Sequence, residues 1–292
     1  DNVHRRALID QVTAVAVPES TNPEDVSTTV KAFMAADLPH ELIKLLEPIV
    51  LQPSAFSDNR SLKNLLMLTA IRTDKAKVTG YIERLSGYDV DEIAKIAIDH
   101  GLFEEAFQIY SKAGQNTDAM DVLVEHIVSI DRAQHFANKL NLPEIWSRLG
   151  KAQLDGLRVK DAMDSYVRAE DPSNFEEVIE IAERAGREEE LIRYLQMARK
   201  LTREPKIDTE YAYCLAKAHR LSDMEEFLSM TNVADVLHVG EKCFNDGLYE
   251  ASRLLFSSVS NYARLATTLV YLNDFPGAIE AARKAGNTSV WK

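Results

Sequence analysis

Apolar residues recur along this chain at the i, i+3, i+4 spacing of an amphipathic helix, in pairs of short segments parted by a turn residue. Ile93, Ile96 and Ala97 form one stripe, followed by Leu102, Phe103, Ala106, Phe107 and Tyr110. Phe175, Val178, Ile179 and Ala182 form another, followed by Leu191, Leu195 and Ala198. No stretch alternates apolar and polar residues for long with β-branched enrichment, so the pattern predicts helices and no sheet. The clearest copy runs from Ile96 to Tyr110. A small residue sits on the first helix, a turn residue follows four later, then Leu or Phe, then Ala and an aromatic on the second helix. Ala152 to Tyr166 repeats this with one extra residue in the turn, and Cys243 to Ala251 with one fewer. Weaker copies turn near Asp37, Asp74, Asp131, Gly186, Arg220 and Asn273. Turns come about every 30 residues, with gaps of about 25 to 37, a period at which stacked units bury faces that none could bury alone. The expected fold is all-α: a right-handed α-solenoid of about ten short antiparallel helical hairpins. It is expected to run as one continuous segment over residues 1–292, with no independent globular domain. With helix axes 8–10 Å apart, the rod would be on the order of 90–100 Å long.

The helix ends carry their own signals. Ser173-Asn-Phe-Glu176 and Ser222-Asp-Met-Glu225 have capping-box spacing. Asn22-Pro23-Glu24 sets an N-cap before a first-turn proline, and Asn141-Leu-Pro143-Glu144 looks alike. Pro39 and Pro276 each follow a turn, where a missing N–H costs little. Gly101, Gly156, Gly186 and Gly247 fall within hairpin turns, and Gly114 and Gly286 follow Ala at helix ends, as left-handed stops. Pro48 lies inside the apolar run Leu42 to Leu51, so that helix is expected to kink or to end before it. Val17 to Asp25 and Gln52 to Asn59 read as inter-helix loops.

Composition narrows the function. Hydrophobic content of 46% and charged content of 27% suit a folded soluble protein. No apolar run approaches the ~18 residues of a membrane span, and no signal-peptide pattern opens the chain. It starts at Asp1 rather than Met, which suggests a segment of a longer protein. The net charge of −12 opposes nucleic-acid binding, which needs clustered cations. Cys214 and Cys243 are the only cysteines, which suits a reducing compartment and buried thiols.

Candidate chemistry is thin. Cys214-x4-His219 and His238-x4-Cys243 invite a zinc reading, but residues five apart on a helix point roughly 140° apart at about 100° per residue. All four read as packing or turn residues. His100 and His135 lie near turns and His126 beside Glu125, with no partner constellation and no GxSxG, HExxH or Walker-type loop in the chain. They read as helix-surface positions. Glu188-Glu189-Glu190 opens a helix and complements its dipole. Arg193, Arg199, Lys200, Arg203 and Lys206 form a basic cluster at a helix that must end before Pro205. Dipole compensation accounts for it better than a dock for an acidic partner. Phe103, Phe107, Tyr110, Tyr166, Tyr194 and Phe256 are expected in the inter-repeat core. No catalytic, cofactor-binding or metal-ligating residue is assigned, no cofactor is expected, and the chain is not expected to be an enzyme.

Trp146-x2-Leu149-Gly150, then Ala162-x3-Tyr166 and Ala169, come close to the tetratricopeptide pattern, but no other unit repeats Trp-x2-Leu-Gly. The whole chain, from residue 3 to 292, instead resembles the clathrin heavy-chain family in its leg of tetratricopeptide-like repeats. The resemblance rests on Leu8-Ile-Asp-Gln-Val12, Val30-Lys-Ala-Phe-Met-Ala-Ala-Asp-Leu-Pro39 and Glu41-Leu-Ile-Lys-Leu-Leu46. Asn64-Leu-Leu-Met-Leu-Thr-Ala-Ile71 and Phe103-Glu-Glu-Ala-Phe107 extend it. So do Trp146-Ser-x-Leu-x-Lys-Ala-Gln-Leu154, Glu170-Asp-Pro-Ser173, Tyr194-Leu-Gln-Met-Ala-Arg-Lys200 and Arg264-Leu-Ala-x-Thr-Leu-Val270. The likeness is to the distal leg, knee and early proximal leg. It implies a structural part of a vesicle coat on the cytosolic face of coated pits and coated vesicles, in endocytosis and intracellular protein transport. Implied partners are other heavy-chain legs, which build the lattice, and in the full-length protein a light chain, near this segment's C-terminal part. It implies no nucleic acid and no direct membrane insertion. Propeller-bound adaptors and C-terminal trimerisation belong to parts of the family outside this segment. Two alternatives use similar helical repeats: a peptide-binding tetratricopeptide-like module, with a polar concave groove, and a vacuolar-sorting tether subunit, without these long identities.

Overall fold

The computed structural model describes residues 2–11, 21–286 and 288–291. Among the described residues there are nineteen α-helices and no strand. A single helix, α1 (Asn2–Gln11), comes first. Paired helices follow: α2 (Pro23–Ala35) with α3 (Pro39–Leu51), α4 (Arg60–Thr73) with α5 (Val78–Arg84), and α6 (Val90–Asp99) with α7 (Phe103–Lys112). Then come α8 (Asn116–Asp121), which runs into a π-helical turn at Val122–His126, and α9 (Ile130–Leu140). The remaining pairs are α10 (Pro143–Asp155) with α11 (Val159–Ala169), α12 (Phe175–Ala185) with α13 (Glu188–Leu201), and α14 (Pro205–Lys217) with α15 (Leu221–Ser229). The last two are α16 (Val236–Asn245) with α17 (Tyr249–Ser258), and α18 (Tyr262–Tyr271) with α19 (Phe275–Ala285). The helices gather into two compact units, Asp1–Phe136 and Ala137–Lys292. Of the segments that carry the resemblance, Val12 lies outside the described residues, as does Val17 to Glu19 with Ser20 in the first loop.

All but one of these paired hairpins are closed by the same turn; α4 and α5 are joined through Asp74 without a left-handed residue. At Asp37, Gly101, Gly186, His219, Gly247 and Asn273 the backbone enters the left-handed region. The next residue's N–H then reaches back five positions: Leu38 to Phe33, Leu102 to Ala97, Arg187 to Ala182, Arg220 to Leu215, Leu248 to Cys243 and Asp274 to Leu269, all at 2.8–3.1 Å. This is the Schellman arrangement, which satisfies carbonyls that a helix end leaves without an N–H. The accepting residues Ala97, Ala182, Leu215 and Cys243 are fully buried. That is why a small or apolar residue four before the turn marks the repeat. The extra residue expected between Ala152 and Tyr166 resolves in the same way. Gly156 keeps φ −82 and caps α10, while Leu157 takes φ 59 and Arg158 donates to buried Gln153 at 2.8 Å. Measured from its left-handed residue, this hairpin has the spacing of the others.

Several expected helix ends move. Asn22 caps α2 by accepting from the Glu24 N–H at 3.1 Å. Asn141, by contrast, is left-handed and accepts the Trp146 indole N–H at 3.0 Å, so Leu142 becomes the N-cap of α10. Ser173 is not a cap: its hydroxyl and N–H both donate to Asp171, and α12 begins at Phe175. Ser222 falls inside the first turn of α15, which begins at Leu221. At Ser222 the hairpin turn fixes where the helix begins, and at Ser173 the loop bonds to Asp171 take the place of the capping box. Pro48 does not end its helix either; α3 continues to Leu51 and buries Ile49 and Val50 beyond it.

Apolar burial follows the stripes. In the first unit Leu45, Leu46, Leu66, Met67, Ala70 and Ile71 are fully enclosed. In the second, one cluster extends from Leu154 to Leu255, and a smaller one joins Ala266, Leu269, Ala278, Ala281 and Ala282. Tyr110, Tyr166, Tyr194 and Phe256 are buried as expected, whereas Phe103 and Phe107 are only half-buried. Two glycines set how closely a hairpin closes. A Cβ on Gly150 would lie 3.2 Å from the Tyr166 ring, and one on Gly240 2.8 Å from the Phe256 ring, at the same offset into the second helix. The tetratricopeptide-like motif at Trp146 to Ala169 is therefore a record of helix contact: Gly150 lies against Tyr166, and Trp146, Leu149 and Ala162 are buried beside them.

Gly240→Ala is expected to lower the stability of the second unit by about 1–3 kcal/mol through overpacking, read as a lower urea midpoint. Val128 has φ 56 with 70% of its surface exposed, so Val128→Gly relieves a left-handed β-branched residue without loss of core. It should raise the midpoint of the first unit by the equivalent of about 1 kcal/mol.

Candidate functional site: the polar seams between hairpins

Polar side chains on one hairpin repeatedly meet the next, at sequence separations from 23 to 34 residues. In the first unit Glu47 on α3 takes hydrogen bonds from Lys77 at 2.9 Å and from the Tyr81 hydroxyl. Burial alone would raise the Glu47 carboxyl, but these two donors outweigh it and hold it below its usual range. Burial, then the bond to Glu47, pushes the Tyr81 phenol up. Arg132 grips Glu104 through two nitrogens at 2.5 and 2.9 Å, and this bond lowers the Glu104 carboxyl. Lysines also close helix ends. Lys112 on α7 donates to the carbonyls of Ile82, Glu83 and Leu85 at 2.6, 3.1 and 2.8 Å, at the C-terminus of α5. An ammonium there satisfies carbonyls that lack helical partners and opposes the negative end of the dipole.

The second unit repeats the theme. Asp164 meets Arg193 at 2.5 Å, Glu176 meets Lys206 at 3.1 Å, Glu188 meets Lys217 at 3.1 Å and Glu189 meets Arg220 at 3.3 Å. Lys151 joins Asp155 and Glu177, each at 2.9 Å, and these bonds raise its ammonium. Arg264 holds Glu241 at 2.7 and 2.5 Å. Such pairs are partly exposed and contribute roughly 0–1 kcal/mol each. One is different. The Arg199 Nε donates to Asp208 Oδ1 at 2.6 Å, with side chains only 20% and 10% exposed. The other Asp208 oxygen accepts the Val233 N–H at 2.9 Å, pinning the coil before α16. The guanidinium also lies 4.9 and 4.5 Å from the Tyr211 and Phe227 ring centroids. One staple thus joins α13, α14, α15 and the following loop.

Several of the singled-out residues fall on these seams or in the core. Glu188, Glu189 and Glu190 open α13 and each meets a cation, Glu190 pairing with Arg187 at 3.6 Å. In the basic cluster, Arg193, Arg199 and Lys206 are committed to Asp164, Asp208 and Glu176. Arg199 and Lys200 occupy the last turn of α13. His126 stacks on Phe103 at 5.2 Å, and a ring nitrogen of His100 bonds the Ile96 carbonyl at 2.9 Å. Cys214 and Cys243 are buried, whereas His219 and His238 are exposed, so neither Cys–His pair converges. Burial drives both thiols up, Cys243 to about 12, so they stay protonated at neutral pH. Among the described residues no three metal-ligating side chains gather, and no helix is long and apolar enough to cross a membrane. The sequence reading missed the seams themselves; their signal is opposite charges one repeat apart, as in Glu47 and Lys77 or Asp164 and Arg193.

Short helical hairpins closed by one recurring turn and tied edge to edge by polar seams define an α-helical repeat protein. The family model described as a region in clathrin and VPS proteins matches residues 17–161 and 166–292. The chain belongs to this clathrin repeat family. Across its whole length it is 57% identical to the probable clathrin heavy chain of Schizosaccharomyces pombe, covering 18% of that protein. It is 51% identical to the clathrin heavy chain of Drosophila melanogaster and 50% identical to clathrin heavy chain 2 of Homo sapiens, covering 17% and 18% of them. The chain therefore spans under a fifth of the length of the curated relatives it matches.

Arg199→Ala is expected to cost the second unit about 3 kcal/mol, because it leaves a nearly buried carboxylate without its cation. Lys206→Ala, on an exposed pair, should cost under about 1 kcal/mol. Urea unfolding of the two variants side by side checks the ranking.

Proposed function

We propose that this chain is a structural leg segment of a vesicle-coat protein of the clathrin heavy-chain type, working by stiffness and lateral contact rather than by catalysis. The observation that carries the reading is the run of hairpin seams, in which side chains that could form a pocket are spent on joining neighbours. Heavy-chain identity at 50–57% over the full chain favours a coat over a vacuolar-sorting tether or a peptide-binding module. In this reading residues 1–292 form one continuous solenoid. Its partners are other heavy-chain legs and, in the full-length protein, a light chain toward its C-terminal part. It works on the cytosolic face of coated pits and vesicles, without entering the bilayer. Many weak lateral contacts, summed along a stiff leg, would give a coat that is stable yet able to come apart.

Small-angle X-ray scattering over a concentration series tests the shape. A monomeric, gently curved rod on the order of 90–100 Å long is expected from helix spacing. A compact particle, or a tightly wound superhelix, would overturn the reading. In the full-length protein, Arg199→Ala should also reduce the yield of closed coats seen by electron microscopy, and unchanged yield would remove the seam from the mechanism.

A further inference from the structure

We infer that Lys112, at the end of α7, is an acylation site whose modification unlocks the C-terminal half of α5 and the segment leading into α6. α5 has little support of its own. It is seven residues long, no left-handed residue sets the turn before it, and its C-cap, Leu85, is extended. A helix this short does not persist alone in water. Its N-terminal half is tied to α3, where the Tyr81 hydroxyl donates to Glu47. Its other end hangs on side chains from α4 and α7. The Lys112 ammonium donates to the Ile82, Glu83 and Leu85 carbonyls at 2.6, 3.1 and 2.8 Å, which uses all three of its donors. Lys63 donates to the Ser86 carbonyl at 2.8 Å, and Asn64 accepts the Asp89 N–H at 2.8 Å. Leu85 and Tyr88, on the segment so held, are buried.

The two ammoniums differ in reach. Lys63 is 8% exposed, whereas Lys112 lies at the surface. Lys112 also differs from a seam lysine such as Lys151, which meets carboxylates that stay well hydrated when the cation leaves. It supplies instead the donors that the end of α5 lacks. To react, the nitrogen must leave its three carbonyls and give one proton to water. Its lone pair then attacks the carbonyl carbon of an acyl thioester. The N–C bond forms, the C–S bond breaks, and the departing sulfur takes a second proton from the nitrogen. The resulting amide is neutral and keeps one N–H, so at most one of the three bonds can be remade. Acylation therefore captures the end of α5 in its open state and holds this joint between hairpins loose, whether or not the chain serves in a coat.

The full chain carrying Nε-acetyllysine at position 112 tests this by hydrogen exchange and mass spectrometry. Amides from Ile82 to Asp89 should lose about tenfold or more in protection, the effect of losing charge-assisted bonds, while α10 and α11 stay level. Lys112→Met keeps an apolar stem without the charge and should lose as much. In parallel, the unaltered chain incubated with a small acetyl thioester should gain acetyl at Lys112 and stay unmodified at Lys63. Unchanged exchange in the acetylated chain would overturn the proposal, and so would full protection in Lys112→Met, which would assign the effect to acyl bulk. So too would a bare Lys112 in a chain acetylated at the exposed Lys44 and Lys95.

Discussion

Most hairpins of this fold depend on one hydrogen bond made again and again: the N–H just past a left-handed residue, donated back to a buried carbonyl five positions earlier. The helices here run mostly to ten to fourteen residues, too short to persist alone in water. Each must lie against its partner at once, and the turn decides the angle at which it does. The bond from Leu248 to Cys243, or from Arg187 to Ala182, removes an unpaired polar group from the apolar interior and reverses the chain in a single step. Because the accepting residue is itself in the core, a slip in the turn would also displace packing.

The seams build on that reversal. Once hairpins stack in a fixed register, a charge on one helix faces a set position on the next. Opposite charges about one repeat apart then find each other, as Glu104 and Arg132 do. Most of these pairs add little to stability, so their value lies in orientation. Arg199 with Asp208 is the exception, since its partners also pin a loop backbone and stack on aromatic rings.

Local patterns in the sequence were readable where the cause was local. The turn at Gly101 or Gly247 shows itself by glycine, and the stripe around Val178 by its helical spacing. Where two local signals competed, the wrong one could be chosen. Gly156 suggested a left-handed stop, yet Leu157 takes that conformation because Arg158 must reach Gln153. Ser173 and Ser222 carried the residues of a capping box, but loop bonds to Asp171 replaced the first and the preceding turn already set the helix start at the second. The seams were not legible beforehand, because which charged face of a helix meets which neighbour depends on stacking.

The exposure of the seams also gives the material an adjustable elasticity. Ion pairs open to solvent are screened over a Debye length of about 8 Å at physiological ionic strength, while apolar burial is little affected by such salt. Within each unit, then, the restoring force against bending has two parts, one fixed by the core and one that the surrounding electrolyte can soften. A spring made this way keeps its register under changes of ionic strength, yet alters how readily it yields.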